Sequence, residues 1–181
     1  DQMLAVSGTL NAQQFGPSVR THLSPFMGDP FWLKTRGITS GPADGDHRRS
    51  IYLETRRNFL SPLLTAFDFV APETTVGQRH SSNVPAQALT LMNDPLVHQL
   101  AAEWARNELA KESDTQPLTP EARLERIYWR ALARPPRDDE TESMIALLRS
   151  QADQQGLSFE AASRDPQIWT DICHVMFMLK E

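Results

Sequence analysis

The spacing of apolar residues predicts four helices in the second half of the chain. In each segment apolar side chains recur every three or four residues, which places them on one helical face. The predicted starts are Asp94-Pro95, Thr119-Pro120, Asp138-Asp139 and Asp165-Pro166, and the stops are Pro135-Pro136 and Gly156. The residues predicted to face a core are Val97, Leu100, Ala101, Trp104, Ala105, Leu109, Leu124, Ile127, Tyr128, Ala131, Leu132, Met144, Ile145, Leu148, Ile168, Trp169, Ile172, Cys173, Met176, Phe177 and Leu179. The end of the last helix is apolar almost all round, which predicts that this helix is buried.

The first half of the chain has a weaker pattern. Residues 1–7 have the composition of a helix end stopped by Gly8, and short helices are predicted at 60–67 and 85–92. Residues 16–48 contain most of the glycines and several prolines, which predicts a long loop. A loop of this length in a compact domain is usually functional, mobile or covering another surface.

A small amount of sheet is compatible with the same pattern. The run Ile51-Tyr52-Leu53 suits a short strand as well as a helix, so any sheet is predicted to be one two-stranded ribbon near 17–22 and 50–56. The fold class predicted is therefore mainly α, an irregular multi-helix domain with long loops. We expect residues 1–181 to form a single domain, with a loop-rich half at 1–82 and a helical half at 83–181.

Composition excludes several classes of protein. The net charge of −5 argues against a dedicated nucleic-acid binder, and no apolar run approaches the roughly 18 residues that cross a membrane. The single cysteine, Cys173, excludes an internal disulfide and a CxxC motif, and it is expected to be a small core residue. The first ten residues lack the charged start and apolar run of a signal peptide.

The densest group of polar residues lies in the middle of the chain. Guanidinium groups are suited to binding carboxylate, phosphate or sulfate, and a histidine beside them can transfer protons near neutral pH. One interpretation is a pocket for an anion or acidic sugar; the other is that the arginines pair with Asp68, Glu73 and backbone carbonyls to hold loops in place. The candidate ligand-binding residues are Arg48, Arg49, Arg56, Arg57, Asp68, Arg79, His80, Asn83 and Gln87.

Other polar groups give weaker indications. The five histidines show no metal-ligand spacing, so no metal site is predicted, although Asp44, Asp46 and His47 could either ligate a cation or form a solvated turn. No GxSxG or Cys/His motif predicts a nucleophile.

Trp32 is the aromatic residue expected to meet a ligand or partner. One helix carries an arginine stripe that either docks an acidic partner or is a solvated face paired with nearby glutamates: Arg123, Arg126, Arg130 and Arg134.

Four motifs occur in a specific order along the chain. They are Arg48-Arg49-Ser50-Ile51-Tyr52 running to Arg56-Arg57, then Ala66-Phe67-Asp68, then Asn83-Val84-Pro85-Ala86-Gln87-Ala88-Leu89 with Met92-Asn93-Asp94-Pro95, then Arg126-Ile127-Tyr128 to Ala131-Leu132-Ala133-Arg134-Pro135-Pro136. Together they resemble the carboxy-terminal domain of unknown function in large planctomycete proteins that often begin with a cytochrome-c-like domain. The resemblance covers essentially the whole chain.

The resemblance implies a context and no catalytic residue. Members of that family are large and exported, so the chain is expected to be an extracytoplasmic (periplasmic or secreted) fragment, cut at both ends, whose partners are other domains of the same polypeptide. Haem is expected in a separate domain, so no cofactor is expected in this fragment. The apolar turn Val175–Leu179 lies close to the end of the chain, and for this reason self-association or modest stability is expected.

Two functions remain open on sequence grounds. The first is an accessory or interaction module of a large exported multidomain protein. The second is part of a hydrolase-like active site, or a pocket for an anion or acidic polysaccharide, completed by upstream domains. An accessory module should have its arginines engaged in internal pairs. A half-site should bring several arginines to an open cleft beside His80.

Overall fold

A computed structural model describes residues 1–23, 34–78, 82–111 and 118–179 of the chain. Helix accounts for 57% of these residues, which confirms the mainly α fold class. The helices are α1 (Gln2–Ser7), α2 (Pro62–Ala66), α3 (Pro85–Asn93), α4 (Pro95–Leu109), α5 (Pro120–Leu132), α6 (Asp138–Gln155), α7 (Phe159–Ala162) and α8 (Pro166–Met178). Two short 3₁₀ turns lie at Gly45–His47 and Ser50–Tyr52.

The chain falls into two compact units. Unit 1 comprises Asp1 and Leu10–Leu96, and unit 2 comprises Gln2–Thr9 and Val97–Glu181. The prediction of one domain with halves at 1–82 and 83–181 stays a prediction.

Unit 2 has a hydrophobic core built from the four helices that the apolar spacing predicts. The starts of α5 and α8 are capped as expected, since Thr119 accepts a hydrogen bond from the Ala122 N–H and Asp165 accepts from two N–H groups of α8. Helix α6 begins at Asp138, and the residue before it, Arg137, makes no side-chain cap hydrogen bond. Helix α6 packs against α5, α7 and α8. The buried core residues are Ala101, Trp104, Ala105, Leu124, Ile127, Tyr128, Met144, Leu148, Ala152, Ala162, Ile168, Trp169, Ile172, Cys173 and Met176.

The ends of two core helices also follow the sequence. Gly156 ends α6 in the left-handed conformation (φ 65°), as its lack of a Cβ favours. Helix α5 ends before the Pro135-Pro136 pair, but the left-handed residue there is Ala133 (φ 54°). Helix α7 was not predicted because four residues are too few to show a helical period; its cap, Ser158, accepts a hydrogen bond from the Ala161 N–H.

Unit 1 contains less regular structure than the sequence suggests. Val19 pairs with Leu53 in an isolated parallel bridge, in which the Val19 N–H donates to the Tyr52 carbonyl (2.8 Å) and the Glu54 N–H donates to the Val19 carbonyl (2.7 Å). The contact is therefore at the predicted place, but a two-stranded ribbon is not formed in the described residues. The 3₁₀ turn at Ser50–Tyr52 lies immediately before the bridge, so the backbone there is not extended and strand pairing does not continue.

Unit 1 also buries very little apolar surface. Leu23 is the one buried hydrophobic residue among its described positions, and the other buried side chains there are Thr21 and Arg48. Helices α2 and α3 contact each other, yet neither contains a buried residue. The described part of unit 1 therefore lacks a hydrophobic core comparable with that of unit 2.

Candidate functional site

Arg48 is a buried residue whose guanidinium is engaged by the backbone. Its side chain donates hydrogen bonds to the carbonyls of Pro17 (2.9 Å), Phe15 (2.7 Å) and Gln13 (3.3 Å). The residue is only 6% exposed, and its guanidinium carbon lies 3.9 Å from the centre of the Tyr52 ring. A charged group placed in this way holds the 13–17 loop, and its donors to those carbonyls are not available to an anion.

The loop held by Arg48 has an unusual backbone. Phe15 adopts the left-handed conformation (φ 64°), which costs a residue with a Cβ about 1–2 kcal/mol. Gly16 continues in the same region (φ 93°), and the Phe15 N–H donates to the Tyr52 hydroxyl (2.9 Å). Both backbone polar groups of Phe15 are therefore hydrogen-bonded, the N–H to Tyr52 and the carbonyl to Arg48, while the Phe15 side chain is 78% exposed.

Two other arginines of the cluster have separate partners. Arg49 pairs with the Asp1 carboxylate (3.4 Å), and Arg56 pairs with Glu54 (3.0 Å). Arg57 is exposed and makes no ion pair within the described residues. The described arginines are thus distributed over different contacts and do not share one ligand position.

Asp68 and Gln87 meet at Ser82. The Asp68 carboxylate accepts hydrogen bonds from the Ser82 N–H (2.6 Å) and hydroxyl (2.9 Å), and the Gln87 amide donates to the Ser82 carbonyl (3.3 Å) and hydroxyl (3.1 Å). Asp68 itself has a left-handed backbone (φ 59°). These bonds tie the end of α2 to the start of α3. Asn83 beside them is exposed.

The remaining candidates cannot be placed in this network. Arg79 and His80 lie outside the described residues, as does Trp32. An open groove of about 440 Å³ borders Asp68 and is lined by Thr65, Phe69, Val70, Ala71, Thr74, Thr75 and Val76. No arginine belongs to this lining.

A second open groove of about 790 Å³ follows the outer face of α6 and has mainly acidic charges at Glu121, Asp138, Glu142 and Asp153. It contains none of the candidate ligand-binding residues.

The arginine stripe of α5 does not form the solvated face expected from its spacing. Arg123 is 1% exposed, and its guanidinium donates to the carbonyl of Ser163 and lies 4.4 Å from the Trp169 ring centre. Arg130 donates to the Val6 carbonyl near the end of α1. Arg123 and Arg130 therefore contact backbone carbonyls that are distant in sequence.

Arg126 completes a buried charge cluster in unit 2. It pairs with Glu108 (2.8 Å), which is 2% exposed and also pairs with Lys111 (2.6 Å). Two cations therefore balance one buried carboxylate, as burial of a charge requires.

Cys173 is fully buried, as expected; burial raises the pKa of its thiol well above the ordinary value, and the Glu108 charge raises it further. Such a thiol is not a nucleophile at neutral pH.

The last arginine of the stripe joins α5 to the start of α6. Arg134 forms a two-pronged pair with Glu140, with nitrogen–oxygen distances of 2.8 and 2.9 Å. Hydrogen bonding from Arg134, followed by the bond from the Arg137 N–H, lowers the pKa of Glu140 from 4.5 to about 2. This carboxylate is a structural anchor, because its oxygens are occupied by the residues that it joins.

The acidic turn near residue 45 is folded on itself. Asp44 accepts a hydrogen bond from the Asp46 N–H (3.0 Å) and lies 3.2 Å from the His47 ring. Within the described ranges, no three His, Cys, Asp or Glu side chains are grouped so that they could hold a metal ion. No helix of the described chain combines the length and apolar character needed to cross a lipid bilayer.

The sequence indicated Arg48 as a candidate residue, but it did not indicate Phe15, the exposed residue in the loop that Arg48 holds. Phe15 lies just outside the predicted loop at 16–48 and drew no prediction, because its left-handed backbone depends on contacts with residues more than thirty positions away. The Phe15-Gly16-Pro17 tripeptide is a turn signal, but a turn signal alone does not indicate a displayed aromatic ring.

Comparison with known proteins places the chain in a family. No curated protein matches it. No solved structure matches it either. The PSD1 family, described as "Protein of unknown function (DUF1553)", matches residues 1–148, which include all of unit 1 and most of the helical segments. The chain therefore belongs to the PSD1 family of proteins of unknown function.

Proposed function

We propose that this chain is an accessory interaction module of a larger exported multidomain protein, and that it docks against other domains of the same polypeptide. The observation that carries the proposal is the state of unit 1, whose described residues bury one hydrophobic side chain and expose many. Eight large apolar residues there are substantially exposed: Phe15, Ile51, Phe67, Val70, Val76, Val84, Leu89 and Met92.

The energetic balance of unit 1 supports a docking role. Ordering the backbone costs roughly 1–2 kcal/mol per residue, and full burial of one large apolar side chain returns only about 1.5–3 kcal/mol. Unit 2 meets this cost with fifteen buried core residues. Unit 1 has no comparable set in its described residues, so a covering partner would supply burial that the unit does not provide for itself.

Helix α3 and the residue before it give the clearest example of exposed apolar side chains. Leu89 is 58% exposed, Met92 51% and Val84 43%, whereas Gln87 is turned toward Ser82. No charged residue occurs from 82 to 93. An apolar, charge-depleted surface is characteristic of the centre of a protein–protein interface.

The use of the arginines also favours an accessory module over a half-site. Arg48, Arg49 and Arg56 are engaged by carbonyls, Asp1 and Glu54 respectively. A hydrolase half-site or a pocket for acidic polysaccharide needs several of these groups to be directed at one ligand. Arg79 and His80 lie outside the described residues, so this comparison of the two functions uses Arg48, Arg49 and Arg56.

The wider context of the proposal comes from the resemblance described above. On this proposal the polypeptide is of planctomycete type, has a cytochrome-c-like domain elsewhere, and works outside the cytoplasm. Haem then binds in that separate domain, with no cofactor in this chain. Nucleic acid is not a partner on this proposal, in keeping with the net charge of −5.

The test is to produce this chain and the remainder of its polypeptide as separate proteins and measure their association by calorimetry at two temperatures. We expect binding with a negative heat-capacity change, because apolar surface is buried. The double variant Leu89→Lys/Met92→Lys should bind more weakly, and the control Arg57→Met should bind normally.

Two results would reject the accessory role. One is the absence of any complex. The other is binding that is lost in Arg57→Met and kept in the lysine double variant, since that pattern indicates a charged ligand site.

A further inference from the structure

Phe15 is one of the two most exposed large apolar residues of the described chain, at 78%, and it also has a strained backbone. Both properties are unfavourable for the isolated molecule. An exposed phenyl ring gains no burial, and a left-handed φ of 64° is better tolerated by glycine or asparagine. Nothing inside the described fold therefore accounts for a phenylalanine at this position.

The surrounding contacts fix the strained conformation. Arg48 directs its bonds to carbonyls of the same short loop, at Gln13, Phe15 and Pro17, and stacks on Tyr52. The Tyr52 hydroxyl accepts the Phe15 N–H. A buried guanidinium and a tyrosine thus hold a five-residue loop in one shape. Preorganisation of this kind lowers the entropic cost of binding and is a recognised use of backbone strain.

We propose that Phe15 is a preformed anchor that inserts into an apolar pocket on another domain of the same polypeptide. This inference rests on the proposed function and names the contact through which docking occurs. Aromatic side chains that enter a pocket at the centre of an interface commonly dominate its affinity. Arg48 and Tyr52 act as positioning residues, because they hold the loop and do not themselves contact the partner's pocket.

The charge pattern around the loop defines the partner surface. Residues 9–19 contain no charged side chain, and the neighbours of Phe15 are glutamine, glycine, proline and serine. The matching pocket is therefore apolar inside and has an uncharged, hydrogen-bonding rim. An anionic lipid surface is a poorer match, because segments that lie on such membranes are rich in lysine and arginine.

The experiment compares Phe15→Gly with wild type against the remainder of the polypeptide, produced as a separate protein. Glycine tolerates the left-handed backbone, so Phe15→Gly should keep or raise the melting temperature. The same variant should bind more weakly, with a dissociation constant raised at least about tenfold. Gln14→Gly is the matched control for added loop flexibility and should bind nearly as wild type.

Further arms of the experiment separate the possible failures. If wild type binds and Phe15→Gly binds equally well, the anchor is wrong and the proposed function stands. If wild type does not bind, both are wrong. Sedimentation of the chain alone and flotation with phosphatidylcholine–phosphatidylglycerol vesicles complete the test. Self-association or vesicle binding that depends on Phe15 would overturn the assignment to a protein pocket on another domain.

Discussion

At the scale of single residues, three arginines of this chain hold backbone carbonyls of distant segments. Arg48 bonds to three carbonyls of one loop, Arg123 bonds to Ser163, and Arg130 bonds to Val6. A guanidinium has five donors in a rigid plane, so it can satisfy several carbonyls that regular structure leaves unpaired. This property explains why arginines that suggest an anion site can instead be structural.

Replacing Arg48 with methionine should destabilise the 13–17 loop. The variant keeps much of the side-chain volume but loses hydrogen bonds from a charged donor to three carbonyls. We therefore expect the free energy of unfolding of this loop to fall by about 2–4 kcal/mol. The measurement is the urea dependence of the amide NMR signals of residues 11–19. Arg57→Met is the control and should behave as wild type. Equal effects of the two substitutions would show that Arg48 does not hold the loop.

Glu140 should give unit 2 a defined acid dependence. Its pKa falls from 4.5 to about 2 in the folded chain, so its stabilising effect is complete above pH 4.5 and is lost as the pH falls toward 2. The Glu140→Gln variant should therefore be less stable than wild type at pH 7, with a difference that shrinks between pH 4.5 and 2. Thermal unfolding across this range checks the prediction, and a pH-independent difference would contradict it.

The residue types of the candidate site could be predicted from the sequence, but their partners could not. Arg48 contacts residues 31 to 35 positions earlier, and Arg123 contacts a carbonyl 40 positions later. The sequence suggested the nearby glutamates Glu121 and Glu125 as partners of the arginine stripe. Long-range contacts depend on how the elements pack, which local spacing does not encode.

At the scale of elements, the capped helices were predictable because their signals are local. Asp94, Thr119 and Asp165 each accept backbone N–H bonds at the helix starts that their sequences indicate. The ribbon was not predictable in this way. A single bridge between Val19 and Leu53 depends on where the intervening loop returns, and a 3₁₀ turn competes for the same residues.

The cap of α8 offers a direct test at this scale. Asp165 accepts the N–H groups of Gln167 (2.8 Å) and Ile168 (3.0 Å), so Asp165→Ala should lower the stability of unit 2 by about 0.5–2 kcal/mol. Asp171→Ala, in the interior of the same helix, is the control for loss of one carboxylate. Urea unfolding followed by far-ultraviolet circular dichroism measures both. Equal losses in the two variants would indicate that capping is not the cause.

At the scale of the whole molecule, the two units differ in how they are stabilised. Unit 2 has a packed core in which Trp104, Leu124 and Trp169 are fully or almost fully buried. The described part of unit 1 relies on polar contacts of Arg48, Asp1 and Asp68, with its apolar side chains largely on the surface. The sequence indicated a loop-rich first half, but burial could not be read from it, because the apolar content of unit 1 is ordinary for a globular chain.

The most direct test of the account is native-state hydrogen exchange of the isolated chain, residue by residue. Because local opening is governed by buried contacts, α4, α5, α6 and α8 should be strongly protected, whereas α2, α3 and the 11–19 loop should exchange quickly. Adding the remainder of the polypeptide should then slow exchange in unit 1. Equal protection of both units in the isolated chain would contradict the claim that unit 1 is a docking surface awaiting its partner.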